Sequence, residues 1–415
     1  MKMNIRIVSL LFALLLCAGT VLPLCACDEG GGKTTTLYVY NWGEYISDGS
    51  EDSLDSNAAF EEWYYETYGE RVEVNYSTFS SNEDMYAKLS SGSVFYDVIV
   101  PSDYMIERMI DEDMLLPLDY DNIPLAAENL DPAFYGPDAV YDYYDKGCVY
   151  SVPYMYGMVG VIYNTTMVDE DDPNLGSWAL LWDEKYAGNI LQFNNSRDAF
   201  GSAQYYLGVS VNSDDEADWR RALEKLKEQK AVVQGYVMDE IYNKMENGSA
   251  AIASYYAGDF LTMYEENEDL EFYYPKEGTN LYVDAMCIPS CAKNKVIAER
   301  YINFMLMEEP AVANAEYTYY GSPNTAVKQN EEYVEYMNDI KEGGFDLMYD
   351  TKSVPAESYK NLTPEKLALI NSLGEELKSD IDISTGIYVI CGVILACLIG
   401  LGIFFAVRKK IRNIY

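Results

Sequence analysis

The fold is decided by residues 37–100, which read LYVYNWGEYISDGSEDSLDSNAAFEEWYYETYGERVEVNYSTFSSNEDMYAKLSSGSVFYDVIV. In this stretch, short runs that are apolar or alternate between apolar and polar residues, as in strands, are followed by longer amphipathic runs, as in helices. The predicted elements are strands at 37–40, 71–76 and 96–100, a helix at 56–68 capped by Ser56 and ended by Gly69, a helix at 82–91 ended by Gly92, and a further helix capped by Ser102. This order predicts a mainly parallel, doubly wound sheet.

The same alternation resumes after about Gly157. Strands are predicted at 159–163, 189–193, 232–234, 250–254, 270–274 and 281–288, and helices at 197–207, 215–230, 237–247, 258–267 and 293–307. The order predicts an α/β fold of two doubly wound lobes with a ligand cleft between them, and a chain that crosses back from the second lobe to the first. We assign residues 37–153 and 283–327 to lobe 1, and residues 154–282 and 328–382 to lobe 2.

Composition excludes several classes of function. The chain carries 68 Asp and Glu against 29 Lys and Arg, and its net charge of −39 repels nucleic acid and attracts cations. Solubility or adaptation to the environment accounts for the same charge equally well. Histidine is absent, which removes Ser-His-Asp catalysis and His-ligated metals. No phosphate-binding loop or nucleophile elbow is present, so we expect neither an enzyme nor a bound cofactor. Forty tyrosines against thirteen phenylalanines supply rings with a polar tip, which suits a half-wet cleft.

The N-terminus predicts export and attachment to a membrane. Residues 1–27 join a basic start, an apolar run and a small-residue cleavage region, as a signal peptide does. The region ends in Leu24-Cys25-Ala26-Cys27, which resembles the bacterial lipobox and implies lipidation of Cys27. A plain signal peptide is the alternative. Residues 28–36, rich in glycine and threonine, favour the lipidated form because they make a flexible linker.

The C-terminus predicts a second attachment. Residues 385–407 contain no charged side chain and are long enough to cross a bilayer as a transmembrane helix. A basic tail, 408–415, follows directly and is expected on the cytoplasmic side. Both ends therefore place the body of the chain outside the cytoplasm, on the outer face of the cytoplasmic membrane.

The carboxyl ends of the predicted strands indicate where a ligand would bind, since ligands of open α/β sheets lie beyond those ends. The segments there are rich in rings, carboxylates and hydrogen-bonding groups: Asn41–Tyr45, Pro101–Tyr104, Asn194–Asp198, Tyr255–Asp259 and Tyr282–Asp284. Such a set suits a small, elongated amine with several positive charges, because rings cover its methylene groups and carboxylates pair with its ammonium groups. Taken alone, a tyrosine or tryptophan is more often part of the core, and an aspartate is more often a helix cap. Their joint position carries the prediction.

Several motifs, in this order and spacing, resemble one known family. They are Tyr40–Tyr45, Ser81–Leu89, Tyr96–Ser102, Ser177–Trp182, Tyr274–Gly278, Ala292–Lys295 and Gly321–Asn324. From Leu37 to about Lys378 the chain resembles the spermidine/putrescine-binding proteins of bacterial ABC importers. The resemblance implies a type II periplasmic-binding fold, a polyamine ligand and the permease subunits of an importer as partners.

The resemblance also implies the residues that contact the ligand. They are Trp42, Tyr45, Ser102, Tyr104, Asn195, Asp198, Tyr256, Tyr282, Asp284 and Tyr359. The chain departs from the family at Gly43, where a hydroxyl residue is common, at the two tyrosines 256 and 282, where tryptophan is common, and at Asn195, where a carboxylate can occur. The choice between spermidine and putrescine stays open for this reason.

Two other interpretations remain. A type II binding protein for ferric iron or another cation would use tyrosinate ligands, and Tyr317, Tyr319 and Tyr320 cluster in the sequence. A membrane-anchored surface or ligand-sensing protein would use the C-terminal helix as a stalk. The polyamine motifs argue against the first, and the short basic tail argues against a cytoplasmic signalling domain.

Overall fold

The computed structural model describes residues 34–50 and 53–379. The predicted signal peptide, the lipidation site Cys27, the transmembrane helix 385–407 and the basic tail lie outside these residues. Within the described ranges, no helix is both long enough and apolar enough to cross a membrane.

The described residues form nine strands and fourteen α-helices. The strands are β1 Thr35–Trp42, β2 Val72–Phe79, β3 Val98–Ile99, β4 Ser151–Asn164, β5 Ile190–Phe193, β6 Val233–Val237, β7 Ile252–Tyr256, β8 Leu270–Tyr273 and β9 Leu281–Cys287. The helices are α1 Ser56–Tyr68, α2 Asn82–Ser90, α3 Asp103–Asp111, α4 Leu125–Asn129, α5 Ser196–Leu207, α6 Glu216–Gln229, α7 Glu240–Glu246, α8 Ala257–Glu266, α9 Lys295–Met305, α10 Glu308–Thr318, α11 Thr325–Gln329, α12 Glu331–Ile340, α13 Gly344–Tyr349 and α14 Pro364–Ser379. Short 3₁₀ turns lie at Tyr120–Asn122, Trp178–Trp182 and Glu184–Tyr186.

All nine strands belong to one mixed sheet, in the order β2-β1-β3-β9-β4-β7-β5-β6, with β8 paired to β4. Strand β1 is parallel to β2 and β3, and β5 is parallel to β6 and β7. The predicted parallel pairing is therefore right for the two ends of the sheet and wrong for its centre, where β4 and β9 are antiparallel to their neighbours. Because parallel strands end at the same edge, each half brings its loops together on one side.

Strand β4 joins the two halves. Its fourteen residues are almost all buried, and they pair with β9 over Ser151–Met158 and with β7 and β8 over Val159–Asn164. A strand that is covered on both faces is apolar throughout and lacks the alternation of apolar and polar residues that marks other strands. For this reason only its last part, 159–163, was predicted as a strand. Strand β9 then returns to the first half and pairs with β3 at Ile99.

One predicted helix cap is wrong, and a second is right in position only. Helix α1 is capped by the carboxylate of Asp55, which accepts the amide of Ala58, and it ends at Gly69 with a φ of 70°. The hydroxyl of Ser56 is instead buried and donates to Asn314 Oδ1 at 3.0 Å. Ser102 does stand before α3, but its side chain makes no capping hydrogen bond.

Candidate ligand-binding cleft

A cleft of about 1590 Å³ lies where loops from both halves of the sheet meet. All ten residues that the sequence implied for ligand binding line this one cleft: Trp42, Tyr45, Ser102, Tyr104, Asn195, Asp198, Tyr256, Tyr282, Asp284 and Tyr359. They come from segments more than 300 residues apart along the chain. Nine of the ten lie in the strand-end segments and Tyr359 came from the resemblance alone, while the role of each residue toward a ligand stays a prediction.

Asp284 and Tyr45 form one wall of the cleft. Asp284 is 5% exposed, and its Oδ2 accepts the Tyr45 hydroxyl at 2.7 Å. The backbone carbonyl of Tyr45 accepts in turn from the Tyr154 hydroxyl at 2.9 Å. Burial raises the pKa of Asp284 to about 6, with the neighbouring Ser102 and Tyr45 hydroxyls acting in the opposite direction. The second oxygen, Oδ1, is buried and has no hydrogen-bond partner among the described residues.

Tyr282 stands two positions before Asp284, so both side chains leave the same face of β9. Its ring meets the Tyr256 ring edge-on at 5.4 Å between centroids. A Cβ added at Gly157 would approach the Tyr282 hydroxyl to 2.5 Å. Position 157 of β4 must therefore be a glycine to leave space for the Tyr282 ring. The Tyr282 hydroxyl is buried and finds no partner within the described part of the chain.

Asp198 is the carboxylate on the other side of the cleft. Its Oδ2 accepts the side-chain amide of Asn195 at 2.6 Å and the Tyr256 hydroxyl at 2.8 Å. Burial raises the pKa of Asp198 above its usual range. Asn195 also caps α5, because its Oδ1 accepts the backbone amide of Asp198 at 2.8 Å. Both polar atoms of Asn195 are thus engaged in holding Asp198.

A hydrogen-bond network at the start of α2 holds Ser102 and Tyr104. The side-chain amide of Asn82 donates to both of their hydroxyl oxygens at 3.1 Å. The Tyr104 hydroxyl donates onward to Glu83 Oε1 at 3.0 Å. The ring of Tyr104 meets Tyr359 edge-on at 6.3 Å. Through Asn82 and Glu83, the Ser81–Leu89 motif therefore holds the two strand-end residues Ser102 and Tyr104 in place.

Trp42 and Arg197 flank these groups. The indole of Trp42 packs on Phe79 at 4.5 Å between centroids. Its Nε1 is buried and lacks a hydrogen-bond acceptor within the described residues. The guanidinium of Arg197 lies 4.5 Å from the centroid of the Tyr359 ring and donates to Asn212 Oδ1 at 2.9 Å. The guanidinium of Arg197 is therefore covered by the Tyr359 ring and held by a hydrogen bond to Asn212.

The charge of the cleft is overwhelmingly negative. Of the described residues that line it, fourteen are acidic and only Arg197 is cationic. The acidic residues are Glu44, Asp48, Glu83, Asp103, Asp198, Asp239, Glu246, Asp259, Glu265, Asp284, Glu308, Glu309, Glu316 and Glu332. Such a lining raises the local concentration of cations and repels anions.

The implied set of ten missed several cleft residues. Asp103 accepts the Tyr143 hydroxyl, Asp259 accepts the Tyr242 hydroxyl at 2.8 Å, and burial raises the pKa of each carboxyl to about 7. Both lie in the strand-end segments, so that rule could have found them. Asn280 precedes the Tyr282–Asp284 segment and was missed. A period of two along that segment could have found it.

The tyrosine cluster considered for iron does not converge on one point. The Tyr317 hydroxyl donates to Glu44 at 3.2 Å, whereas the Tyr319 hydroxyl donates to Glu265 at 2.5 Å. Tyr320 turns its ring to Tyr45 at 5.1 Å. Across residues 34–50 and 53–379, no group of three or more Asp, Glu or Cys side chains is arranged to hold a metal ion.

Unsatisfied polar atoms concentrate in the cleft. The described residues include seven buried side-chain nitrogen or oxygen atoms without a hydrogen-bond partner. Five of the seven belong to cleft residues, namely Trp42, Arg197, Asn280, Tyr282 and Asp284. Buried polar groups are normally paired, so such a concentration marks a surface prepared for a ligand that supplies the missing partners.

Comparison with known proteins gives four concordant matches. A family profile described as bacterial extracellular solute-binding protein matches residues 58–340. The spermidine/putrescine-binding periplasmic protein 1 of Haemophilus influenzae is 32% identical over 300 residues, covering 69% of this chain and 78% of that protein. A solved structure from Listeria monocytogenes, titled a putative spermidine/putrescine ABC transporter, is 34% identical with a TM-score of 0.71, covering 83% of this chain and 99% of that one. A spermidine/putrescine ABC transporter substrate-binding protein from Streptococcus pneumoniae is also 34% identical, with a TM-score of 0.65 and coverages of 83% and 98%.

Proposed function

Because the chain belongs to the bacterial extracellular solute-binding proteins, we propose that it captures a polyamine, spermidine or putrescine, outside the cytoplasm and delivers it to the permease of an ABC importer. The α/β periplasmic-binding fold predicted from the sequence is confirmed by the two solved structures. Membership of a binding-protein family also confirms that the chain is not an enzyme.

One observation carries the choice of a polyamine. Five buried polar atoms lack partners in a cleft that holds fourteen acidic side chains and one arginine among its described residues. An anionic solute would face repulsion from every wall. A neutral solute would leave the buried carboxylates without counter-charges, which is costly at low dielectric. A solute with several ammonium groups supplies both positive charge and N–H donors.

The two buried carboxylates on opposite sides of the cleft are the proposed charge partners. Asp284 offers its free Oδ1 to one ammonium group, and Asp198, held by Asn195 and Tyr256, accepts another. Charge-assisted hydrogen bonds of this kind are about twice as strong as neutral ones. An ammonium next to Asp284 also favours the ionised carboxylate, opposing the effect of burial on its pKa.

The aromatic walls are proposed to hold the methylene segments between the charges. Trp42, Tyr256 and Tyr282 present rings to the cleft, and ring faces attract ammonium groups by about 1–2 kcal/mol each when desolvated. Ser102, Tyr104 and Tyr359 complete the proposed contact set from the first half and the C-terminal segment. Asn195 acts in this scheme through Asp198, whose position it determines.

The direct test is calorimetric titration of the full-length chain, in detergent, with spermidine, putrescine and glutamate. Saturable 1:1 binding of at least one polyamine is expected, together with no heat of binding for glutamate. Binding of glutamate in preference to both polyamines, or no binding of either polyamine, would refute the function. Addition of ferric iron tests the alternative of an iron-binding protein. A tyrosinate–iron complex would colour the solution, and no colour is expected.

The division into lobes is also proposed. Lobe 1 comprises residues 37–153 and 283–327, and lobe 2 comprises residues 154–282 and 328–382, so that Asp284 and Asp198 belong to opposite lobes. Closing of the lobes on a polyamine would bring them together. Intrinsic tryptophan fluorescence should change on addition of spermidine, because Trp42 lines the cleft. An unchanged spectrum at saturation would contradict a ligand placed against Trp42.

Membrane attachment at both ends completes the proposal. The lipid on Cys27 and the helix 385–407 would hold the binding domain at the outer face of the cytoplasmic membrane, with the tail 408–415 inside. Protease added to intact cells should remove the domain and leave a small C-terminal fragment. Cys27→Ser should abolish labelling by a radioactive fatty acid. Survival of the whole domain in protease-treated cells would refute this topology.

A further inference from the structure

Three side chains leave strand β9 on the cleft side. Asn280, directly before the strand, and Tyr282 and Asp284 within it all line the cleft, whereas Leu281 and Val283 between them do not. Successive side chains of an extended segment point to opposite faces, so the three form one row with a period of two. Their Cα atoms span about 13 Å, at roughly 3.3 Å per residue.

Each member of the row carries a buried polar atom without a partner in the described part of the chain. These atoms are Oδ1 of Asn280, the hydroxyl of Tyr282 and Oδ1 of Asp284. Asn280 is only 4% exposed, although it is polar and lines a large cleft. A leucine at this position would avoid the loss of hydration that an unpaired buried amide suffers. The side chain is therefore placed for a partner from outside the protein.

Asn280 lies at the Asp198 end of the cleft. Its backbone carbonyl accepts the amide of Val159 at 3.2 Å, and Val159 pairs across the sheet with Tyr256. The Tyr256 hydroxyl in turn donates to Asp198 at 2.8 Å. Asp284 lies at the opposite end, where its backbone bridges to Ser102. The row thus runs from one proposed ammonium site toward the other.

Ligand length decides which members of the row can be used together. A diamine with four methylene groups has five bonds of about 1.5 Å and spans about 6 Å when extended. A triamine with three and four methylene groups has nine such bonds and spans about 11 Å. Only the longer molecule reaches from Asp284 to the far end of a row of about 13 Å.

We propose that Asn280 is a specificity-determining residue whose side-chain oxygen accepts an N–H from the far amine of a triamine lying along β9. A diamine held at Asp284 does not reach it. This inference rests on the proposed polyamine-binding function. It assigns a role to a residue outside the ten that the sequence implied, and it gives the protein a preference for spermidine over putrescine.

The test compares Asn280→Leu with the unmodified full-length chain by calorimetric titration with spermidine and putrescine. Leucine has a similar volume and no acceptor. Spermidine affinity should fall by about tenfold or more, as expected for the loss of a hydrogen bond from a charged donor, and putrescine affinity should stay unchanged. Asn280→Ala repeats the test without a branched side chain. Asn371→Leu is the control, since Asn371 is an exposed amide of α14 outside the cleft and its replacement should affect neither ligand.

The outcomes separate this inference from the function beneath it. If the unmodified chain binds spermidine and the two Asn280 variants bind it equally well, the inference is wrong and the function stands. Equal loss of both ligands in the variants also contradicts it, because a length-dependent contact cannot act on the diamine. An unmodified chain that binds neither amine would overturn the inference and the function together.

Discussion

Replacement of Asp284 by asparagine changes the charge of the cleft and almost nothing of its shape. The Tyr45 hydroxyl, which donates to Oδ2 at 2.7 Å, can donate to the amide oxygen of the new side chain in the same way. The amide nitrogen then takes the place of the unpaired Oδ1. A donor therefore faces the cleft where an acceptor stood, and an ammonium group bound there loses both its counter-charge and its hydrogen bond.

The free energy of binding is expected to fall by about 2–4 kcal/mol, the usual effect of removing one member of a desolvated charge pair. This corresponds to a loss of roughly 30- to 1000-fold in affinity. The position of the carboxylate supports the upper part of this range, because Asp284 is only 5% exposed and water does not screen it well.

The same substitution, Asp284→Asn, should stabilise the ligand-free protein against unfolding. Burial raises the pKa of Asp284 from 3.8 to about 6, so the folded state favours the protonated form. At neutral pH the ionised carboxylate therefore lowers the free energy of unfolding, by about 3 kcal/mol for a shift of this size. Asparagine avoids this loss. Its advantage should be complete above about pH 6 and should vanish near pH 4, where the carboxyl is protonated in both states.

The assay pairs calorimetric titration with thermal unfolding of the ligand-free chain between pH 4 and pH 7.5. Asp269→Asn serves as the control, because Asp269 is exposed, lies outside the cleft and loses the same charge. The expected result is weaker spermidine binding and a higher melting temperature at pH 7.5 for Asp284→Asn alone. Unchanged binding, or a ligand-free variant less stable than the parent, would show that Asp284 supports the fold and does not pair with the ligand.

Three further predictions follow from the same cleft. Trp42→Ala should weaken spermidine binding by more than about tenfold while the circular dichroism spectrum stays unchanged, and full affinity in the folded variant would remove Trp42 from the site. Gly157→Ala should weaken binding severalfold because the new Cβ would approach the Tyr282 hydroxyl to 2.5 Å, whereas Gly235→Ala, with no atom within 4 Å, should have no effect. Affinity for spermidine, measured by titration, should fall as the pH drops through about 6, because protonation of Asp284 removes its charge; affinity that is constant from pH 5 to pH 7.5 would contradict its role.

Much of the fold could be predicted because local signals agreed with tertiary structure. Helix α1 was located to the residue, since Gly69 adopts the left-handed conformation that ends helices. The cap was missed because Asp55 and Ser56 are both good capping residues, and only the burial of the Ser56 hydroxyl against Asn314 decides between them. Strand β4 was read too short for a different reason, because burial on both faces removes the alternation by which strands are recognised.

The cleft could be predicted in outline and not in detail. The rule that ligands bind beyond strand ends needs only the order of strands, and it gathered Trp42, Ser102 and Asp198 correctly on one surface. It could not show that Asn195 uses both polar atoms on Asp198, because hydrogen-bond partners depend on distances that a sequence does not contain. Nor could it find helices α10 and α12, which contribute Glu308, Glu309, Glu316 and Glu332 to the acidic lining, because neither helix follows a strand.

The position of β9 in the sheet has a consequence for how the chain is made. Strand β9 lies between β3 and β4, and its contact with β3 joins Ile99 to Cys287, 188 residues later. During synthesis, β1, β2 and β3 are complete long before the strand that closes their exposed edge has emerged from the ribosome. An open edge of this kind invites pairing with other chains. The first half therefore cannot complete its sheet before residue 287 has emerged, and the edge of β3 stays without its partner strand until then.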